Sequence, residues 1–199
     1  MIMMLILLGG CHKNTSPEAV DQESAVQMLN AMESYEAGIQ ITFYSNKGEN
    51  VYVVAQKAAA DGKYRMEIQE PAQFAGVLTV CDGTQILQSD PTIGGAVQAK
   101  QTPVRDALLL FSFVEAMKQS DVSFEETPDG LLVLETEYPG DHQKIAGARL
   151  TLKKGTGTPL SLEVFDREGN PSLHMEYLTF QMNPEFGEKD FVIEEQKES

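Results

Sequence analysis

From Gly38 onward, apolar and polar side chains alternate one by one, the period-two signature of strands with one dry and one wet face. In GIQITFYS, Ile39, Ile41 and Phe43 alternate with Gln40, Thr42 and Tyr44, and after the turn NKGEN the run VYVVAQ returns. Tyr64, Met66 and Ile68 share one face of DGKYRMEIQEP, opposite Arg65, Glu67 and Gln69. GVLTVCDGTQILQSDP reads as two strands joined at Asp82-Gly83, a strong hairpin dipeptide. The pattern resumes later in VSFEET, LLVLETEYP, GARLTLKK, PLSLEVFD and SLHMEYLTFQMN, with turns at Asp129-Gly130, Pro139-Gly140, KGTGTP and DREGN.

Two segments change period. Ser16-Pro17 reads as a helix start, and Ala25, Met28, Leu29, Met32 and Tyr35 then repeat at helical spacing until Gly38 closes the element. PVRDALLLFSFVEAMKQ predicts one helix over 103–119, with Val104, Leu108, Phe111, Val114 and Met117 on its apolar side. The order is thus helix, five strands, helix, five strands. An antiparallel sheet of about ten strands must curl, and its dry face must be covered. The fold class expected is α+β: a strongly curved antiparallel sheet, a half-barrel, with helices covering the concave apolar face. No linker divides the series, so residues 22–199 are expected to form a single domain.

Composition narrows the partners. Thirty acidic against fifteen basic residues give a net charge of −15, the opposite of what nucleic acid or an anionic membrane surface attracts. No nucleic-acid partner is therefore expected. Two cysteines, Cys11 and Cys81, are too few for a disulfide framework, and Cys81 in VLTVCDG reads as a small buried side chain.

The first residues carry an address. MIMMLILL supplies a short apolar run, and Leu8-Gly9-Gly10-Cys11 resembles the bacterial lipobox. Small residues let the peptidase cut before Cys11, whose thiol carries diacylglycerol. Residues 1–10 are thus expected to be a lipoprotein signal segment, and 11–21 the lipidated cysteine with the polar tether HKNTSPE. The run lacks the basic residues that open such signals, so either the true start is expected upstream of Met1 or the signal segment is expected to be clipped there. Acyl chains gain about 0.8 kcal/mol per buried methylene, so two or three hold a protein at a membrane.

Reaction chemistry is not legible. His12, His142 and His174 are scattered, with no convergent set at metal-ligand spacing. His142 falls in the turn PGDHQ, and His174 alternates with Glu176 at a surface cross-strand position. No nucleophile elbow, phosphate-cradling loop or dinucleotide turn occurs. Glu125-Glu126 and Glu194-Glu195 are adjacent residues and point to opposite faces of a strand, so neither is a natural acid–base pair. No enzymatic activity, metal or cofactor is expected.

The succession over residues 22–192 resembles the LolA/LolB-like superfamily of lipoprotein carriers, and within it the germination lipoprotein (GerS) family of spore-forming bacteria. The resemblance lies in SYEAGIQITFYSNKGENVYVVAQ, GKYRMEIQEP, the GVLTVCDGTQIL hairpin with its following Asp-Pro, and above all LTLKKGTGTPLSLEVFDREGNPSLHMEYLTFQMNPEF. Where relatives often carry an aromatic before that Asp-Pro turn, this chain has Gln88-Ser89. The resemblance implies a curved sheet closing over a helix-lined cavity. It also implies a non-catalytic accessory role beside a peptidoglycan amidase in sporulation and germination, acting on the spore cortex.

Two functions follow as expectations. One is a membrane-anchored accessory lipoprotein, held by lipid at Cys11 outside the cytoplasm or between the forespore membranes, with the amidase as protein partner. The other is a lipid or lipoprotein carrier that takes an acyl chain in an apolar cavity, with Ile39, Ile41, Phe43, Met66 and Ile68 as candidate lining. Alternation predicts burial before it predicts a pocket, so plain core is the favoured reading of those five. A homodimer is compatible with either.

Overall fold

The computed structural model describes residues 21–193. Asp21 opens the first helix, α1 (Gln22–Asn30), its Oδ1 accepting from the Ser24 N–H at 2.9 Å. The expected cap at Ser16-Pro17 lies outside the described residues. So do the signal segment, Cys11 and nearly all of the tether. The helix was expected to run on through Tyr35 to Gly38; it ends at Asn30, and both residues belong to the first strand, β1 (Ser34–Ser45). Over so few residues Met32 and Tyr35 fit either period, and pairing with neighbouring strands decides the outcome.

Strands β2 (Gly48–Ala59) and β3 (Tyr64–Glu70) follow as hairpins, then β4 (Leu78–Cys81) and β5 (Ile86–Ser89), joined at Asp82-Gly83 as the sequence predicts. The Gly83 φ is 94°, a conformation costly for any residue with a Cβ. Asp82 Oδ1 accepts from the Thr84 and Gln85 N–H groups, both at 2.9 Å. A sixth strand, β6 (Ala96–Ala99), was not expected, since its four residues carry little alternation. After the second helical region come β7 (Val122–Glu126), β8 (Leu131–Glu137), β9 (Gly147–Lys153), β10 (Thr158–Phe165) and β11 (Pro171–Met182).

All eleven strands form one sheet in the order β6-β5-β4-β3-β2-β1-β11-β10-β9-β8-β7, each neighbour antiparallel. Two meanders therefore meet along one seam, β1 against β11. A bulge interrupts that seam: Gly38 pairs with Thr179 and Ile39 with Tyr177, leaving Leu178 extra and half-exposed. The Gly38 N–H donates to Thr179 Oγ1 at 2.8 Å, and a Cβ on Gly38 would lie 2.9 Å from that oxygen. Gly38 thus permits a close approach inside the sheet, not the end of a helix.

The inward positions build one core. Ile39, Ile41 and Met66 join Leu132, Leu150, Leu162 and Met175 in a cluster that also takes Leu29 of α1. The outward face is wet: Arg149 pairs with Glu135 and with Glu163 (3.4 Å), and His174 Nδ1 lies 3.5 Å from Glu163. His174 occupies the surface cross-strand place expected of it.

The Asn-Pro pair after β11 fastens the C-terminal segment. Asn183 has a φ of 53°, and its Oδ1 accepts from the Glu33 and Ser34 N–H groups at 2.8 and 3.3 Å. Its own N–H donates to the Ser34 carbonyl at 2.8 Å, and Ser34 Oγ donates to the Pro184 carbonyl at 2.7 Å. Asn tolerates this left-handed backbone better than most residues. Asn183→Ala is expected to destabilise the fold by about 1–3 kcal/mol, read as a lower midpoint in urea unfolding. At the Asp82 turn, hydrogen bonds from the Gln85 and Thr84 N–H groups and the Thr84 hydroxyl lower the carboxyl pKa from 3.8 to about 2. A depressed acid stabilises the fold above its unfolded pKa. That contribution should fade as pH falls from about 4 to about 2, and Asp82→Asn should flatten this part of the stability profile.

Candidate functional site

The second helical region is two helices, α2 (Pro103–Ala107) and α3 (Leu110–Gln119), not the single one expected. Thr102 caps α2 through Oγ1, which accepts from the Arg105 N–H at 3.2 Å, with Pro103 in the first turn. No Gly or Pro marks the break at Leu108-Leu109; side chains from the sheet impose it. Gln56 of β2 donates Nε2 to the Leu108 carbonyl at 3.1 Å, and Tyr35 Oη accepts from the Leu110 N–H at 3.0 Å. Tyr35 in turn donates to Gln56 Oε1 at 2.6 Å, and both side chains are fully buried. The break rotates the apolar stripe. Phe113, Val114, Ala116 and Met117 face the core from α3, whereas Val104, assigned to the apolar side from sequence, is exposed.

Re-aimed in this way, α2 and α3 leave an open cleft of about 1020 Å³. Its walls come from the β2–β3 and β4–β5 turns, β6, both helices and the β8–β9 loop. Gln98 of β6 and Tyr138 just after β8 both line it. In a flat sheet those strands would lie about 40 Å apart, so the sheet must curl until its two ends share one opening. The β8–β9 loop is tied down from outside the cleft. Lys144 Nζ lies 3.1 Å from Asp166 Oδ2, the Arg167 N–H donates to the Gln143 carbonyl at 3.1 Å, and Arg167 pairs with Asp141.

The lining is mixed. Tyr64, Ile86, Phe111 and Ile145 give apolar surface, and Gln98, Gln101, Ser112 and Gln119 give amides and a hydroxyl. Tyr64 Oη reaches Gln101 at 3.5 Å. Tyr138 and His142 contribute to its wall, but Tyr138 Oη and His142 Nδ1 are themselves enclosed, and like Tyr177 Oη and Ser172 Oγ away from the cleft they have no hydrogen-bond partner among the described residues. Burial holds the Tyr138 hydroxyl protonated and raises the Asp106 carboxyl above its usual range, the latter against the pull of Arg105. Cys81, buried and free as expected, also lines the cleft.

The five residues picked as cavity lining lie elsewhere. Ile39, Ile41 and Met66 are in the packed core; Phe43 and Ile68 are half-buried at its rim, Phe43 edge-on to Tyr52 with ring centres 5.9 Å apart. None of the five lines the cleft. Period two identified inward positions, but it carries no information on where loops and helices leave space. Tyr138 and His142, on either side of Pro139-Gly140, line the cleft instead, and nothing in their spacing marks it. Among the described residues no group of three or more His, Cys, Asp or Glu is placed to hold a metal, and no helix is long and apolar enough to cross a membrane.

A model of the sporulation protein YdcC-like family matches residues 1–191. The chain belongs to that family. Among curated proteins, none matches it in sequence. Its fold recurs in an uncharacterized conserved protein from Thermus thermophilus, at TM-score 0.56 and 15% identity, over 88% of this chain and 94% of that one. It recurs in the structure of the CwlD amidase from Clostridioides difficile in complex with the GerS lipoprotein, at TM-score 0.52 and 24% identity, over 84% of this chain and 99% of the matched one. A third match is a putative outer membrane lipoprotein-sorting protein domain from Vibrio parahaemolyticus, at TM-score 0.50 and 12% identity, over 84% and 94%. The resemblance read from the sequence, a GerS-like protein of the lipoprotein-sorting fold, holds in this family membership and this fold.

A carboxyl whose folded pKa is raised penalises the fold when ionised, and the penalty is relieved as pH falls through that raised value. Asp106→Asn should therefore raise the melting temperature at pH 7, with the gain shrinking in acid. Tyr35→Phe leaves the Leu110 N–H and Gln56 Oε1 without their partner. It should cost about 1–3 kcal/mol in urea unfolding, more than the loss of one exposed hydrogen bond.

Proposed function

We propose that the protein is a non-catalytic accessory lipoprotein of the sporulating cell envelope, which holds or activates a peptidoglycan amidase in spore-cortex modification. Membership of a sporulation family carries the biological setting. The observation that favours an amidase partner is the shared fold with a chain from an amidase–lipoprotein complex, over 99% of that chain. In this reading Cys11 bears the lipid and holds the domain on the outer side of the cytoplasmic membrane, or between the membranes around the forespore. The net charge of −15 suits a partner with a basic face, and such an association weakens as salt rises.

The carrier reading draws support from the cleft, whose volume is in the range of ligand sites. An acyl chain there, however, would meet the amides of Gln98, Gln101 and Gln119, which hydrocarbon cannot satisfy. The accessory role is therefore preferred.

The test is recovery of the tagged chain from sporulating cells, beside a Cys11→Ser variant. A cell-wall amidase should co-purify in low salt and be depleted in high salt. The parent should fractionate with membranes and the variant should not. Recovery without any cell-wall hydrolase would count against the partner, and an unchanged membrane fraction for the variant would count against the anchor.

A further inference from the structure

The chain after β11 builds a second groove. From Asn183 it crosses the outer face of the sheet as a strap, through Phe186 and one turn of 3₁₀ helix at Glu188–Phe191, to Val192. Lys57 and Arg65 point outward there, alternating with the buried Gln56, Tyr64 and Met66, and both hold the strap. Lys57 Nζ donates to Asp190 Oδ1 at 2.7 Å and lies 5.4 Å from the centre of the Phe186 ring. Arg65 donates to the Val192 carbonyl at 3.5 Å. Phe191 meets Phe186 edge-on, with ring centres 5.4 Å apart, and is only 5% exposed although it stands outside the main core. Between the strap and the turns after β2 and β4 lies a groove of about 770 Å³, which shares only Ala59 and Lys63 with the cleft.

Pro184, Phe186, Phe191 and Val192 give this groove apolar surface, and Val192 is 42% exposed. Five carboxylates line it, those of Glu33, Asp61, Asp82, Glu185 and Glu188, against one ammonium, that of Lys63, which is already paired with Asp61. Glu33, Glu185 and Glu188 are exposed and make no ion pair among the described residues. A second copy of a chain with net charge −15 is repelled from such a surface, and so is an anionic membrane. A single divalent cation needs oxygen ligands that converge, and among the described residues no three of these carboxylates do. An extended segment of lysine or arginine with apolar neighbours meets both halves of the lining. Its charged heads reach the carboxylates while its stems and apolar side chains lie on Phe186 and Val192.

We propose that the groove under the strap is the docking site for a basic, partly apolar segment of the amidase partner. The inference rests on the reading of the protein as the companion of a wall amidase and gives that contact a place on the surface.

Calorimetric titration of the purified full chain with a short peptide alternating lysine and leucine tests this, beside the same peptide with glutamate for lysine and beside magnesium ion. Saturable binding of the lysine peptide alone is expected, weakening as salt rises. Glu185→Lys with Glu188→Lys should weaken it about tenfold or more. Glu125→Lys with Glu168→Lys makes the same change in net charge at exposed residues outside the groove, and should leave binding nearly unchanged. All four side chains are exposed, so both double variants should keep the melting temperature of the parent. Absence of saturable binding, equal loss in the two double variants, equal binding of the glutamate peptide, or displacement by magnesium overturns the proposal. A Glu185→Lys, Glu188→Lys chain that captures the amidase as fully as the parent loses this inference and keeps its partner. A parent that binds the lysine peptide as described but captures no amidase keeps the basic-segment groove and loses the partner.

Discussion

The buried Tyr35–Gln56 pair is the contact on which the cleft depends. Tyr35 donates to Gln56 at 2.6 Å, and between them they satisfy the Leu108 carbonyl and the Leu110 N–H that a continuous helix would have paired internally. Two adjacent strands thus decide where a helix stops and restarts. Around the pair, Tyr35 stacks on Phe180 and meets Phe111 of α3, with ring centres 5.5 and 5.4 Å away. The helix break, the β1–β11 seam and the floor of the core are therefore one packing unit. Fully paired, such a polar unit specifies a single arrangement; half-paired, it would be worse than an apolar one.

The seam matters for the same reason. Its two strands come from opposite ends of the domain, and only their pairing turns two meanders into one sheet. Asn183 closes it at one end by reaching back to Glu33 and Ser34, which gives the Asn183-Pro184 pair a mechanical role: it fastens the chain after β11 to the start of the first strand. The acidic surface and the mixed cleft then lie on a frame whose curvature was set elsewhere.

Much of this frame was legible. Ten of the eleven strands follow from alternation and turn residues, because a strand that buries one face writes that face into every second position. β6 is not marked in the sequence because Ala96, Val97, Gln98 and Ala99, at an edge, bury little and leave little pattern. The long helix over 103–119 was read as unbroken because all its residues tolerate helix, and the groups that break it sit more than fifty positions earlier. The five expected lining residues were chosen by their inward direction, and inward is where packing is densest. The cleft formed at the ends of elements, from Gln98, Tyr138 and His142, where no periodicity operates.

By itself the sequence determined the strands, the dry face, the acidic surface and the likeness to a lipoprotein-sorting fold, since each depends on residue type at local spacing. The tertiary structure alone decided where α1 ends, where the second helix breaks, and which polar residues line the cleft. Those depend on contacts between residues far apart in the chain, which no local pattern records.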